Sequence, residues 1–171
     1  MKFGKSLAVV VSVAALDGCA VTVPLTLDST GRVDGQSPKV AITVSTDDAS
    51  PTRTAFGTAL VKAFGVNSFA VDPKADLLAD FALSIGAASD GVLSGDAKSS
   101  EIENNPDWIA TPRKSKRLDE CDAKRMRGTL VLIDRATSAQ VYRGTAEQID
   151  CEFSDRDITI MASTLVNDAI R

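Results

Sequence analysis

Residues Arg127–Asp134 read RGTLVLID and residues Gln140–Gln148 read QVYRGTAEQ, with Arg135–Ala139 (RATSA) between them. Both segments are rich in β-branched and other strand-favouring side chains, and a five-residue polar connection suits a tight reversal. The reading is an antiparallel hairpin, and the rest of the chain is placed around it.

Cys121 and Cys151 flank the hairpin. Their midpoint is position 136, inside the turn, so continuing the antiparallel ladder brings the two cysteines opposite one another. An oxidising compartment would join them, and closing a loop of that length contributes roughly 3–4 kcal/mol. Two buried free thiols are the competing reading. Just beyond, Ser154 and Asp157 form a capping-box-like pair. Ile158, Met161, Ala162, Leu165, Val166 and Ala169 then recur at helical spacing, giving one wholly apolar face that has to pack on something.

Upstream of the hairpin, Ala79–Ala87 alternates, with Phe81, Leu83 and Ile85 on one face and small residues on the other. Ser68–Val71 is a short strand before a turn at Asp72-Pro73. Ser50-Pro51 starts a helix, Phe56, Leu60, Ala63 and Phe64 mark its buried side, and Gly65 supplies a stop. Lys39–Ser45 alternates through Val40, Ile42 and Val44 as the first strand. Gly86 and Gly144 are expected where a helix crosses the sheet closely. Together these elements predict an α+β, two-layer sandwich: a four-stranded, mainly antiparallel sheet with two helices on one face, in the order β-α-β-β-β-α. Residues 88 to about 120, rich in Ser, Asp, Asn, Lys and Arg, read as a polar excursion from a single domain spanning 38–171.

The N-terminus carries an address. Lys2 and Lys5 precede an apolar run of about ten residues, half of what a membrane-spanning helix needs. The run ends in Leu16-Asp17-Gly18-Cys19-Ala20, which resembles the lipobox of bacterial lipoproteins at three of four positions, Asp17 being the exception. The resemblance implies cleavage after a signal peptide of residues 1–18, acylation of Cys19 and, because Ala20 rather than Asp follows, the outer membrane. Residues 19–37 then read as a lipid-anchored flexible linker, running from a short β-like stretch (AVTVPLTL, 20–27) into the Gly/Ser/Asp segment DSTGRVDGQS. An ordinary secretion signal cut elsewhere, or a buried N-terminal strand, is the competing reading.

The chain holds 19 Lys and Arg against 23 Asp and Glu, and loss of residues 1–18 moves the net charge from −4 to −5. That balance argues against general nucleic-acid binding. Histidine is absent, which removes the commonest general base and metal ligand and every Ser-His or Cys-His nucleophile. No metal or cofactor is expected. Asp47-Asp48 lacks calcium-loop spacing, and Glu101 and Glu103 read as a solvated pair.

Ala79-Asp80-Phe81, Arg127-Gly128-Thr129-Leu130-Val131, Val141-Tyr142-Arg143-Gly144 and the C-terminal amphipathic helix resemble a family of bacterial lipoproteins known as domain of unknown function 4136. The layout is also similar to anticodon-binding-like domains of envelope lipoproteins, including the lipopolysaccharide-assembly, Pel polysaccharide-export and curli-secretion lipoproteins. The resemblance implies no catalytic residues. The expected function is a non-enzymatic, lipid-anchored binding or assembly module facing the periplasm, with other envelope proteins or itself as partner. The alternative is a polysaccharide or lipopolysaccharide export accessory, acting as a ring of subunits. Its contact with anionic glycan or lipid would run through Trp108, Arg113, Lys114, Lys116 and Arg117, an aromatic beside a basic cluster. The competing reading of those residues is a solvated loop.

Overall fold

The computed structural model describes residues 22–33, 39–44, 50–89, 92–93, 108–110, 113 and 121–171. In chain order its elements are β1 (Val23–Gly31), β2 (Lys39–Ile42), α1 (Pro51–Val66), β3 (Ala70–Val71), β4 (Leu77–Ala87), β5 (Val92–Leu93), β6 (Trp108–Ala110), β7 (Lys124–Asp134), β8 (Gln140–Asp150) and α2 (Asp155–Ile170). β7 and β8 are the long antiparallel hairpin, paired from Leu132↔Tyr142 to Lys124↔Asp150. In the turn, the Asp134 carboxylate accepts from both the backbone N–H and the hydroxyl of Thr137, each at 2.8 Å. Those bonds hold its pKa below the ordinary value, and Ser138 takes the left-handed conformation at φ 58°.

The main sheet has six strands in the order β1-β8-β7-β4-β2-β3, which corrects the expected four-stranded, mainly antiparallel sheet. β2 runs parallel to both β3 and β4, while β4, β7, β8 and β1 are successively antiparallel, so the sheet is mixed. The parallel part arises because α1 carries the chain across one face between β2 and β3, as parallel neighbours require. The short 68–71 segment joins as β3, over Ala70–Val71, and the sixth strand comes from residues 23–31, which read as linker. β1 is legible in sequence only in part, as the β-like stretch over 20–27, because it is an edge strand held by its backbone. Val23, Leu25 and Leu27 alternate with Pro24, Thr26 and Asp28, but only Leu25 is even half-buried and the pattern lapses over residues 29–31. The α+β class holds.

Both helices lie on one face. A Cβ added to Gly128 on β7 would stand 2.6 Å from Met161 Sδ of α2 and 3.0 Å from Phe56 Cζ of α1. Beneath them, Met126, Leu130, Leu132, Tyr142 and Ala146 are buried. Phe56 meets Phe81 of β4 edge-on at 6.0 Å, and the Arg53 guanidinium covers the same ring at 5.5 Å. α1 starts as expected, with Ser50 Oγ accepting from Arg53 N–H at 3.2 Å. It runs two residues past its expected end, however. Gly65 stays helical, and the reversal is made at Ser68, whose φ is 65°. Asn67 Nδ2 closes the helix end by donating to Ala63 O, and it also reaches Asn167 Oδ1 of α2, both at 2.9 Å. α2 is opened by Ser154, whose N–H and hydroxyl both donate to Asp157 Oδ2, at 2.8 and 2.6 Å. These bonds keep the Asp157 carboxyl below its usual range.

Tyr142 clamps α2 to the hairpin. Its ring lies over Gly144, two residues along on the same face, and its hydroxyl sits 3.2 Å from both Leu165 O and Asp168 Oδ2. Burial, reinforced by the Asp168 charge, raises the pKa of the phenol, so it stays a donor. A Cβ on Gly144 would fall on the Tyr142 hydroxyl, whereas one on Gly86 would meet nothing within 4 Å. Close crossing therefore applies to Gly144 and Gly128 but not to Gly86. Gly144→Ala is expected to cost about 1–3 kcal/mol through overpacking. Gly86→Ala is expected to be neutral or to stabilise by up to about 1 kcal/mol. Urea unfolding of the two variants beside the parent chain measures the contrast.

Candidate functional site

Three surfaces of the described residues offer binding geometry. The first is the sheet face opposite the helices. Strand alternation puts Arg125, Arg127, Thr129 and Val131 of β7 there, across from Ile149, Glu147, Thr145 and Arg143 of β8. Thr26, Asp28 and Thr30 of β1 extend the polar rows outward. At their centre Glu147 is held between two guanidinium groups, Arg125 Nε at 3.1 Å from Oε1 and Arg127 Nη1 at 3.6 Å from Oε2. The Arg125 side chain is only 8% exposed and that of Glu147 28%, so this pair is much less screened than an ordinary surface ion pair. A shallow cleft of about 380 Å³ opens beside it, lined by Thr26, Asp28, Arg127, Arg143, Thr145 and Glu147. Such a surface recognises charged or hydroxylated partners by hydrogen bonds and charge. In sequence the RGTLV and VYRG strings mark strand alone, and this face shows only in the period-two alternation of Arg and Thr against apolar residues.

The second surface is the end of the sheet from which the excursion leaves. Ala88 N–H donates to Ala123 O, and Arg113 N–H donates to Ala88 O, both at 2.8 Å. Arg113 is thereby fixed beside Cys121 over a cleft of about 270 Å³ that also involves Ser89 and Asp122. Cys121 and Cys151 are joined by a disulfide, with Cα atoms 5.7 Å apart. The ladder itself stops at Lys124↔Asp150, so continued pairing would have set Cys151 opposite residue 123. The bridge instead spans the last non-ladder residues at that end. Of the other candidates, Trp108 lies in β6, which pairs with β5 as a separate two-stranded sheet. Lys114, Lys116 and Arg117 lie outside the described residues, as do Cys19, Asp47, Asp48, Glu101 and Glu103. The structure thus brings Arg113 to the sheet end with the disulfide and does not place the remaining basic residues.

The third surface is a groove of about 700 Å³ between α1 and α2, lined by small side chains including Thr54, Ala55, Thr58 and Thr159, with Lys62 and Asp155 also on its wall. Among the described residues no three His, Cys, Asp or Glu side chains gather as a metal site, and no helix is long and apolar enough to cross a membrane.

No protein-family model matches the chain, and no curated protein does. Solved structures do share its fold. One is a PelC dodecamer from Paraburkholderia phytofirmans, with a TM-score of 0.51 and 11% identity over 86% of this chain and 100% of that one. Another is a PDZ domain protein from Parabacteroides distasonis, with a TM-score of 0.52 and 13% identity, matching 84% of this chain but 34% of that one. At these identities the likeness is one of fold.

The open-face charge cluster makes a measurable contribution. Glu147→Gln removes the carboxylate charge that Arg125 and Arg127 share and is expected to destabilise the chain by about 1–3 kcal/mol, as read by chemical unfolding. Asp28→Asn, at an exposed position, should change stability by less than about 0.5 kcal/mol.

Proposed function

We propose that the protein is a lipid-anchored, non-enzymatic envelope protein of the domain of unknown function 4136 type, acting as a binding and assembly module in the periplasm at the outer membrane. The position of β1 carries this reading. β1 begins at Val23 and is hydrogen-bonded into the sheet beside β8, so only three residues separate it from Cys19. A chain that short reaches at most about 14 Å. Acylation of Cys19 would therefore hold the sheet end formed by Val23, Ile149 and Lys124 close to the membrane surface, rather than on a long leash. Self-association is supported by the PelC structure of the same fold, which is a dodecamer.

Intact mass spectrometry of the protein extracted from membranes, with and without reductant and beside Cys19→Ala, tests the anchor. The expected species starts at acylated Cys19 and gains two protons on reduction. A chain retaining residues 1–18, or cut elsewhere without lipid, would end the anchor reading.

The second reading is an export accessory that contacts anionic glycan or lipid through the basic cluster. The fixing of Arg113 at the sheet end nearest Cys19 in sequence favours it. This reading expects salt-sensitive binding of an acidic polysaccharide or of lipopolysaccharide, lost when Arg113, Lys114, Lys116 and Arg117 are all changed to Gln. Binding that survives those changes would refute it.

A further inference from the structure

The geometry points to head-to-tail assembly in which β1 of one copy adds to β3 of the next. This deepens the assembly reading above and rests on it. Among the described residues β1 and β3 are the two edge strands of one sheet. Strand directions alternate from β1 through β8 and β7 to β4, and β2 and β3 then run parallel to β4. β1 and β3 consequently point in opposite directions. Two copies standing side by side in the same orientation bring β1 against β3 as an antiparallel pair, the arrangement that strand addition favours. Because the contact joins two different surfaces, it repeats from copy to copy and closes into a ring when the rotation allows.

The side chains at the two edges match. Six large apolar side chains are well exposed among the described residues, and four of them sit at these edges. Val23 and Leu27, 40% and 36% exposed, are on β1. Val71, 41% exposed, is on β3, and Val66, 78% exposed, ends α1 beside it. Leu27 pairs with buried Ala146, and Val71 with buried Val40, so both lie on the helix-covered face. In a continuous sheet across two copies they would therefore meet on the same side. Asp28 is the one ionisable residue of β1, and beside β3 the Lys39–Asp72 ion pair leaves Lys74 as the nearest cation. Pro24 and Pro73 bound the ladder, because proline has no N–H to donate, so pairing is confined to Leu25–Gly31 and Ala70–Val71. The contact is short in backbone terms and relies on Leu27, Val71 and Val66 for burial.

Lysine on an edge strand blocks this kind of addition, and sedimentation velocity of the full chain in mild detergent at several concentrations reads the outcome. The wild type is expected to exceed monomer mass as concentration rises. Leu27→Lys and Val71→Lys, both at exposed positions, should each be monomeric while unfolding at the wild-type midpoint. Mixed one to one they should form a dimer, because one variant retains an intact β1 edge and the other an intact β3 edge. A wild type that stays monomeric throughout overturns the proposal. So does a Val71→Lys chain that keeps wild-type mass, which would mean β1 pairs with itself, and so does a mixture that stays monomeric. A monomeric chain whose mass shows acylated Cys19 would remove the edge contact and leave the anchor standing. An assembling chain without lipid would do the reverse.

Discussion

Everything in the helical layer depends on how closely it can approach the β7–β8 hairpin. Gly128 and Gly144 leave the sheet bare where Phe56, Met161 and the Tyr142 ring have to lie. Without those gaps α1 and α2 could not both rest on one face, since the space a Cβ needs is already filled by sulfur, ring or hydroxyl. Tyr142 then turns the gap into a specific contact, for its ring lies over the glycine and its hydroxyl reaches the α2 backbone at Leu165. The stop at Asn67, shared between Ala63 O and Asn167, sets the two helices against each other at their C-terminal ends. Register, helix position and helix spacing thus follow from a few residues on two strands.

How much of this was legible in the chain varies with the kind of force involved. α2, α1, β4 and the hairpin could be read because each buries one face, and burial writes its period into the sequence. β1 showed only as a short β-like stretch, and the parallel pairings of β2 did not show at all. β1 is bound through its backbone and exposes nearly every side chain, and strand neighbours depend on the crossover rather than on composition. The capping residues Ser50 and Ser154 acted where they were expected, whereas Gly65 did not end α1, since a glycine stops a helix only when the chain reverses at that residue. On the functional side, the open face was spelled out in Arg127, Thr129, Arg143, Thr145 and Glu147, but alternation was read for its apolar half alone.

The two faces of the sheet divide the work. The helix side is dry and fixed by shape, and the other side is a lattice of guanidinium, carboxylate and hydroxyl groups centred on Glu147. The Glu147 carboxylate beside it offsets part of the cost of burying Arg125 there. Among the described residues the polar groups thus gather on the face opposite the helices and at the sheet end near Arg113, while the helix-covered face sets stability.

β1 also has a mechanical meaning. The chain enters the sheet at Val23 and runs down the edge of β8 for nine residues, from Ile149 to Tyr142. A pull transmitted from the N-terminal side along that axis loads the inter-strand hydrogen bonds together, in shear, instead of opening them one after another. The interrupted register between Val23 and Thr26 would yield first, letting a short length of strand peel away while Thr26–Gly31 still grips β8. A domain held from its N-terminal side could thus be tugged without being unravelled, and β1 would act there as a stiff hinge rather than a loose thread.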